Sequence, residues 1–489
     1  MPLVVGLDVG TQGARAIVCD ESGEIVAQSS CPFDGDAQIA DILPGWFEQD
    51  PQIWWESAAA CLRAATISLA RSGREAGEIA AIAVDSTSGT VLPVDQAGRP
   101  LRPAIMYNDT RAQAESRECN EAGRDLTEKL GYKFGSSFGL PKVLWLKRNQ
   151  PDTWRACRRV IHAADFVVGR LTGDFGVSDD SNALKTGYDV LDLRWPDFIF
   201  GKLGIERQKL PDVVTPGEPV GRVTTECGKL TGLEQGTVVV GGVSDGTAGF
   251  VASGASAVGE WNSTIGTTLV LRGVSKELIK DPEGRVYCHR HPDGWWLPGG
   301  SSNVGGECLA KLFPDADYDA LDREAAQLIP SGLISYPLVR RGERLPFVDA
   351  DAEGFVPEDD AESARLYAAC LEGVAFVERW CYELMEELGA PVGNTIYATG
   401  GGAKSVTWMR IRAAALNRRI VRPAVTESAM GAAVVAASRT LYSSLTEASG
   451  AMVKRDLVVE PERDLADAYE ARYRAFRTEC AVRGLGGKG

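Results

Sequence analysis

Residues 3–20 read LVVGLDVGTQGARAIVCD. The run 3–9 is apolar except for Gly6 and Asp8, GTQG follows, and AIVCD at 16–20 is apolar again before ESGE at 21–24 and IVAQS at 25–29. Strand, turn, strand, turn, strand is the economical reading. From Pro51 to Arg71, the residues Ile53, Trp54, Ala58, Cys61, Leu62 and Ala65 recur at helical spacing with a proline in the first turn, which predicts a helix. IAAIAVDSTSGTVLPVD at 79–95 then returns to strand composition, with a polar turn of small residues at 85–90. Strands alternating with helices predict an α/β architecture.

A second such unit begins after Pro219. GTVVVGGVSDGTAGFVASG at 236–254 reads as a buried strand running into a turn at 244–247, and GEWNSTIGTTLVLRG at 259–273 as strand, turn and strand. VGT at 9–11 is echoed by IGT at 265–267, and SGT at 88–90 by DGT at 245–247, so internal duplication is suspected. NTIYATGGGAKS at 394–405 is a strand closing in three glycines. Helices are expected over 406–420 and again over 426–442, the second opening with Thr426 at its N-cap. The change of pattern divides the chain into 1–250 and 251–489.

The 489 residues are enough for roughly two to four domains. Hydrophobic residues at 44% and charged residues at 24% exclude wholesale disorder. With 52 Lys and Arg against 67 Asp and Glu, the net charge of −15 would repel a polyanion, so a phosphate-bearing ligand must be small and locally cradled. The 11 cysteines lie singly and without CxxC pairs, as buried thiols of a reducing compartment do. No leader or membrane-spanning segment is apparent, and the cytoplasm is the expected address.

Asp8, Gly10 and Thr11 sit where a buried strand turns into a hairpin. Gly10 and Gly13 let the backbone approach a ligand, so their N–H groups and the Thr11 hydroxyl suit phosphate oxygens, while Asp8 suits a hydrated Mg²⁺ beside them. The same residues also suit a plain hairpin turn with a locally bonded aspartate. Ser263, Thr264, Gly266 and Thr267 offer the phosphate chemistry again in the second half. Asp245, after an apolar strand, is placed to accept a proton from a hydroxyl attacking a phosphoryl group, although Asp-Gly is also a favoured turn pair. Gly400, Gly401, Gly402 and Ala403 border a strand end where a flat ring or a ribose fits; Ala398 and Ala403 stand where a Walker A loop needs glycine. No GxGxxG and no GxSxG is present. His289 and His291, with Cys288, lack the spaced partners of a zinc site and read as structural. His162 is expected inside a helix.

The ordered set LDVGTQGARAIVCD, MYNDTRA at 106–112, GGVSDGTAG at 241–249, WNSTIGTT at 261–268 and ATGGGAKS at 398–405 resembles the FGGY carbohydrate kinases of the actin, Hsp70 and hexokinase superfamily. The resemblance implies two ribonuclease-H-like (actin-like ATPase) α/β domains, each with a βββαβαβα core, flanking a deep catalytic cleft where ATP and sugar meet. It implies that 1–250 binds sugar and supplies the base, and that 251–489 binds ATP. In detail, Asp8 helps hold Mg²⁺ and Asp245 is the base; Gly10 and Thr11 form one phosphate loop and Thr264, Gly266 and Thr267 the other. Gly401, Gly402 and Ala403 border adenosine, with Gly305 and Gly306 on the same wall and Asn417 beside the adenine.

For the sugar, the Met-His-Gly turn of bacterial xylulokinases is replaced here by Asp85-Ser86-Thr87-Ser88-Gly89-Thr90, and the Arg-Glu pair of glycerol kinases is absent. The STSGT turn with MYNDTR resembles the plant and cyanobacterial kinases assigned to D-ribulose, in which Ser86, Thr87 and Asp109 would bind sugar hydroxyls. D-ribulose is therefore the leading expectation, D-xylulose the alternative and another polyol a third. An Hsp70-like or actin-like ATPase and a non-catalytic sugar sensor are the competing classes. The expected partners are ATP and a small sugar, with no nucleic acid and no membrane, and a homodimer is compatible with the pattern.

Overall fold

The computed structural model describes residues 1–33, 38–39, 42–357 and 363–486. The chain forms two compact units. The first comprises Met1–Ser256, His289–Gly294 and Glu427–Val453, and the second comprises Ala257–Cys288, Trp295–Thr426 and Lys454–Gly489. The segment 427–453 thus packs with the amino-terminal half rather than with the carboxy-terminal half, where one boundary near residue 250 puts it.

In the first unit β1 (Leu3–Val9), β2 (Gly13–Asp20) and β3 (Ile25–Pro32) form the antiparallel meander, and α1 (Pro51–Arg71) follows, capped by Asp50, whose side chain accepts from the Gln52 amide. β4 (Ile79–Ser86) pairs parallel with β1. β5 (Pro219–Arg222) and β6 (Val238–Val240) complete the order β5-β6-β4-β1-β2-β3, and the short β7 (Val243–Ser244) also joins β4. The residues expected to turn at 244–247 instead open the helix α2 (Asp245–Ala252).

β1 is buried from end to end and β4 everywhere but at the half-buried Ala80, as near-continuous apolar strands covered on both faces must be. One cover is the helix Ser428–Ala437, whose N-cap is Glu427, one residue later than the expected Thr426. Its composition explains the close fit. A Cβ on Gly6 would collide with the Ala429 carbonyl, and one on Gly431 with the Ala248 carbonyl, so both contacts depend on glycine.

In the second unit β8 (Trp261–Ile265), β9 (Leu269–Gly273) and β10 (Trp296–Ser302) repeat the antiparallel meander. The long helix α3 (Ser363–Glu387) precedes β11 (Thr395–Thr399), which pairs parallel with β8. α4 (Val406–Leu416), β12 (Arg419–Pro423) and β13 (Arg455–Val459) follow, so that six of the sheet's seven strands run in the order β10-β9-β8-β11-β12-β13. Each unit therefore contains three antiparallel strands, a parallel neighbour of the first strand, a second parallel strand and then an antiparallel edge. The echo of VGT at 9–11 by IGT at 265–267 falls on equivalent hairpins of this repeat, β1–β2 and β8–β9, whereas SGT at 88–90 and DGT at 245–247 both lie in the first unit and the second of them opens α2.

Within the second unit Arg412 on α4 donates from Nε and Nη2 to the two carboxyl oxygens of Glu378 on α3, both at 2.8 Å, with both side chains fully buried. Among the described residues no helix is long and apolar enough to cross a membrane.

Candidate active site

Three carboxylates gather at the carboxyl ends of neighbouring strands in the first unit, the end at which open α/β sheets bind ligands. Asp8 on β1 stands beside Asp85 on β4 in parallel register, and Val243 of β7 stands on the other side of Asp85, two residues before Asp245. Asp245 is the first residue of α2; its Oδ1 accepts from the Gly246 amide at 2.6 Å. The helix start is fastened by hydroxyls: Ser244 Oγ lies 2.9 Å from Ser181 Oγ and 3.0 Å from Thr247 Oγ1. Both aspartates chosen from the sequence are therefore in one neighbourhood.

Asp85 was not singled out for chemistry, yet it is fully buried and neither carboxyl oxygen has a hydrogen-bond partner among the described residues. Its signal was in the sequence: IAVDS ends an apolar strand on an aspartate just as VGLDV does. Burial raises the Asp85 carboxyl well above the ordinary aspartate value, and the negative charges of Asp8 and Asp245 add to the rise. Burial also raises Asp8, against the pull of Asp85 and of Arg15, whose Nη1 is 3.5 Å from Asp8 Oδ2. One proton shared between Asp8 and Asp85 would satisfy an otherwise orphaned buried group.

A stability test follows. The folded state keeps a proton on Asp85 that the unfolded chain releases near pH 3.8, so this group destabilises the fold increasingly as pH rises above that value. Asp85→Asn removes the ionisation while keeping the shape. In EDTA, its thermal midpoint should gain on wild type from pH 5 to pH 8; a gap that is constant or narrows contradicts the assignment.

The hairpin at 10–12 is held from behind. Gly10 N donates to Gly13 O at 3.0 Å, and Gln49 Nε2 donates to Thr11 O at 3.1 Å, leaving Thr11 and Gln12 exposed. Gly13 is required by packing rather than by a ligand, since a Cβ there would lie 2.6 Å from the Cys31 carbonyl. At Gly10 a Cβ would meet nothing nearer than 3.7 Å, so that backbone has open space above it.

The expected sugar residues are corrected in part. Ser86 is fully buried and its Oγ accepts from Ala164 N at 2.9 Å, fastening the helix Ala163–Thr172. Asp109 is also fully buried: it accepts from Phe47 N at 2.7 Å and from the Arg111 amide and guanidinium. Arg111 in turn stacks on Trp46 at 3.7 Å and pairs with Glu48 at 2.7 Å. The Ser86 and Asp109 side chains are therefore taken up by the fold, whereas Thr87 is half-buried, with its hydroxyl 3.4 Å from that of Thr90.

In the second unit a cavity of about 1270 Å³ is bordered by Gly266, Thr267, Gly306, Gly401 and Gly402, with Leu309, Tyr318 and Tyr367 among its apolar walls. Tyr318 and Tyr367 stack with ring centroids 6.4 Å apart, and flat apolar walls of this kind suit a purine. Gly306 N donates to Gly266 O at 2.7 Å, and a Cβ on Gly305 would lie 2.6 Å from Thr267 O, so both glycines seat the following helix on the hairpin. Gly400 takes φ +79° over Ile265.

Four expectations change here. Thr264 turns its hydroxyl inward, 2.7 Å from Thr399 Oγ1 and 3.0 Å from Asn262 Nδ2, leaving Gly266 and Thr267 as the exposed loop groups. Ala403 is buried beneath the wall, and Gly305 lies behind it. Asn417 borders a different cavity, of about 590 Å³, because it ends α4 in the left-handed region that asparagine tolerates.

His162 precedes its helix rather than sitting within it, buried with Nδ1 2.8 Å from Asp165 and Nε2 2.8 Å from Thr186. Among the described residues no three His, Cys, Asp or Glu side chains come together as a metal site.

Comparison with known proteins gives a consistent result. The model of the FGGY family of carbohydrate kinases, N-terminal domain, matches residues 3–252, and that of the C-terminal domain matches residues 261–439. A xylulose kinase of Bacillus subtilis (strain 168) is 26% identical over 489 residues, covering 98% of this chain and 96% of its own. The crystal structure of xylulose kinase from Rhodospirillum rubrum superposes with TM-score 0.85 at 28% identity, covering 98% of both chains. A gluconate kinase from Lactobacillus acidophilus, at 24% identity, TM-score 0.84 and 98% of both chains, shares the fold.

Proposed function

Since the chain belongs to the FGGY family of carbohydrate kinases and is a phosphotransferase with an alcohol group as acceptor, we propose that it transfers the γ-phosphoryl group of ATP to the terminal O5 hydroxyl of D-xylulose. The leading sequence expectation, D-ribulose, gives way to its alternative because xylulose kinases of Bacillus subtilis, Staphylococcus xylosus and Rhodospirillum rubrum match along nearly the whole chain. The observation that carries the chemistry is the meeting of Asp8, Asp85 and Asp245 at one end of one sheet.

In this reading Asp245 accepts the hydroxyl proton as the sugar oxygen forms its bond to phosphorus and the bond to ADP breaks. Thr11 presents its backbone N–H and hydroxyl to phosphate oxygens over the open backbone of Gly10, whose own N–H is bonded to Gly13 O; Thr267 does the same over Gly266, whose N–H is bonded to Thr268 O, in the second unit. The cavity walled by Tyr318 and Tyr367 takes the adenosine. A bound Mg²⁺ would neutralise charge on the phosphates, and Asp8 would hold it through water. Thr87 is the side chain of the STSGT turn left to meet the sugar. Cysteines without a disulfide suit a reducing cytoplasm.

ADP release with D-xylulose, D-ribulose, L-xylulose, L-ribulose, ribitol and glycerol at matched concentrations tests the substrate. The highest kcat/KM is expected for D-xylulose. A higher value for D-ribulose would restore the other ketopentose, and activity with glycerol alone would exclude both.

A further inference from the structure

Lys142, on the helix Gly139–Asn149, is fully buried and pairs with no carboxylate among the described residues. Its Nζ instead reaches four backbone carbonyls: Ser136 at 2.7 Å, Gly89 at 3.2 Å, and Tyr107 and Phe138 at 3.3 Å each. An ammonium has three N–H groups, so these oxygens saturate it. Asp109, the acidic group whose charge acts on it most, is already held by Arg111 and the Phe47 amide. Burial lowers the Lys142 amine to about 7, against the opposing charge of Asp109.

The origin of the carbonyls is what matters. Gly89 belongs to the turn at 85–90 that carries Asp85 and Thr87, Tyr107 belongs to the MYNDTR segment, and Ser136 and Phe138 belong to the loop that enters the lysine's own helix. Gly89 has φ +85°, and a Cβ there would collide with the Ser137 carbonyl, so the turn lies directly on that loop. The start of the turn is fixed by Ser86 Oγ on Ala164 N, and its end by the lysine. Only the residues between those two anchors are left to answer to a ligand.

We infer that Lys142 is a positioning residue for the acceptor sugar, a buried ammonium that ties the 85–90 turn and the 106–111 segment into one binding surface. This rests on the proposal that the turn meets the sugar. The device differs from an ion pair. Carbonyl acceptors cannot lose their capacity by protonation, and one cation fixes three separate stretches of backbone at a single point.

The test is Lys142→Met in the full-length protein, with D-xylulose and ATP varied in turn. Removing charged hydrogen bonds and letting the turn shift should raise the KM for sugar roughly 10- to 100-fold. The KM for ATP should stay within about 2-fold, because the adenosine is assigned to the second unit and the lysine bonds neither phosphate loop. An unchanged KM for sugar, or equal rises for both substrates, overturns the inference. Should the variant not fold, hydrogen exchange on wild type decides: D-xylulose alone should protect peptides spanning 85–91, 105–110 and 135–142 together, and protection at none or only one of them overturns it. Failure of the substrate reading is recognised separately, as wild type that releases no ADP with any sugar of the panel.

Discussion

Asp245→Asn should lower kcat by on the order of 10²- to 10⁴-fold, the usual worth of a positioned base, while ATP binding survives. Asparagine keeps the size of the side chain and an oxygen for the Gly246 amide, so the start of α2 and the hydroxyl cluster of Ser181, Ser244 and Thr247 should persist. What it loses is the ability to take a proton. The remaining rate reports the share supplied by alignment and by the phosphate loops, which is large where the transition state is loose. Steady-state kinetics with D-xylulose, together with calorimetric titration of ATP, measures both quantities. Near-full turnover in the variant would remove Asp245 from the role.

Arg412→Met should cost about 3–5 kcal/mol in the stability of the second unit, because it leaves the Glu378 carboxylate buried with no countercharge. Joining α3 to α4 through two 2.8 Å bonds is worth little if both partners are replaced together by apolar groups, so Arg412→Met with Glu378→Leu should recover most of the loss. Urea unfolding of wild type and both variants is the measurement, read on the transition of the second unit because a chain of two units need not unfold in one step. A single variant as stable as wild type, or a double variant no better than the single, contradicts this.

Asp8 and Asp245 were legible because each is a charged residue closing an apolar strand, a local pattern that needs no partner to be noticed. Asp85 has the same local pattern and was passed over as part of a turn; only the register of β4 against β1 makes it a neighbour of Asp8. Ser86 and Asp109 show the opposite failure. Their side chains look available in the sequence, but the amides that occupy them lie 78 and 62 residues away. Thr264 and Ala403 were lost in the same way, to contacts made across β8 and β11 and beneath the glycine turn.

The fold was readable where periodicity is strong, in the opening meander and α1. It was less readable where long-range packing decides. The helix at 428–437 belongs to the first unit because glycines at 6 and 431 allow backbone to meet backbone, and nothing in the helix's own composition says which partner it will find. Lys142 is a further case: a lysine in an otherwise apolar helical turn gives no hint of which carbonyls will converge on it.

The most direct measurement is ADP release by wild type and Asp245→Asn side by side, each with and without D-xylulose at saturating ATP and Mg²⁺. Wild type should turn over ATP only when the sugar is present, forming one pentulose phosphate per ADP, and the variant should lose that sugar-dependent rate. ATP consumption by wild type at the same rate without sugar would make the chain an ATPase and contradict the account.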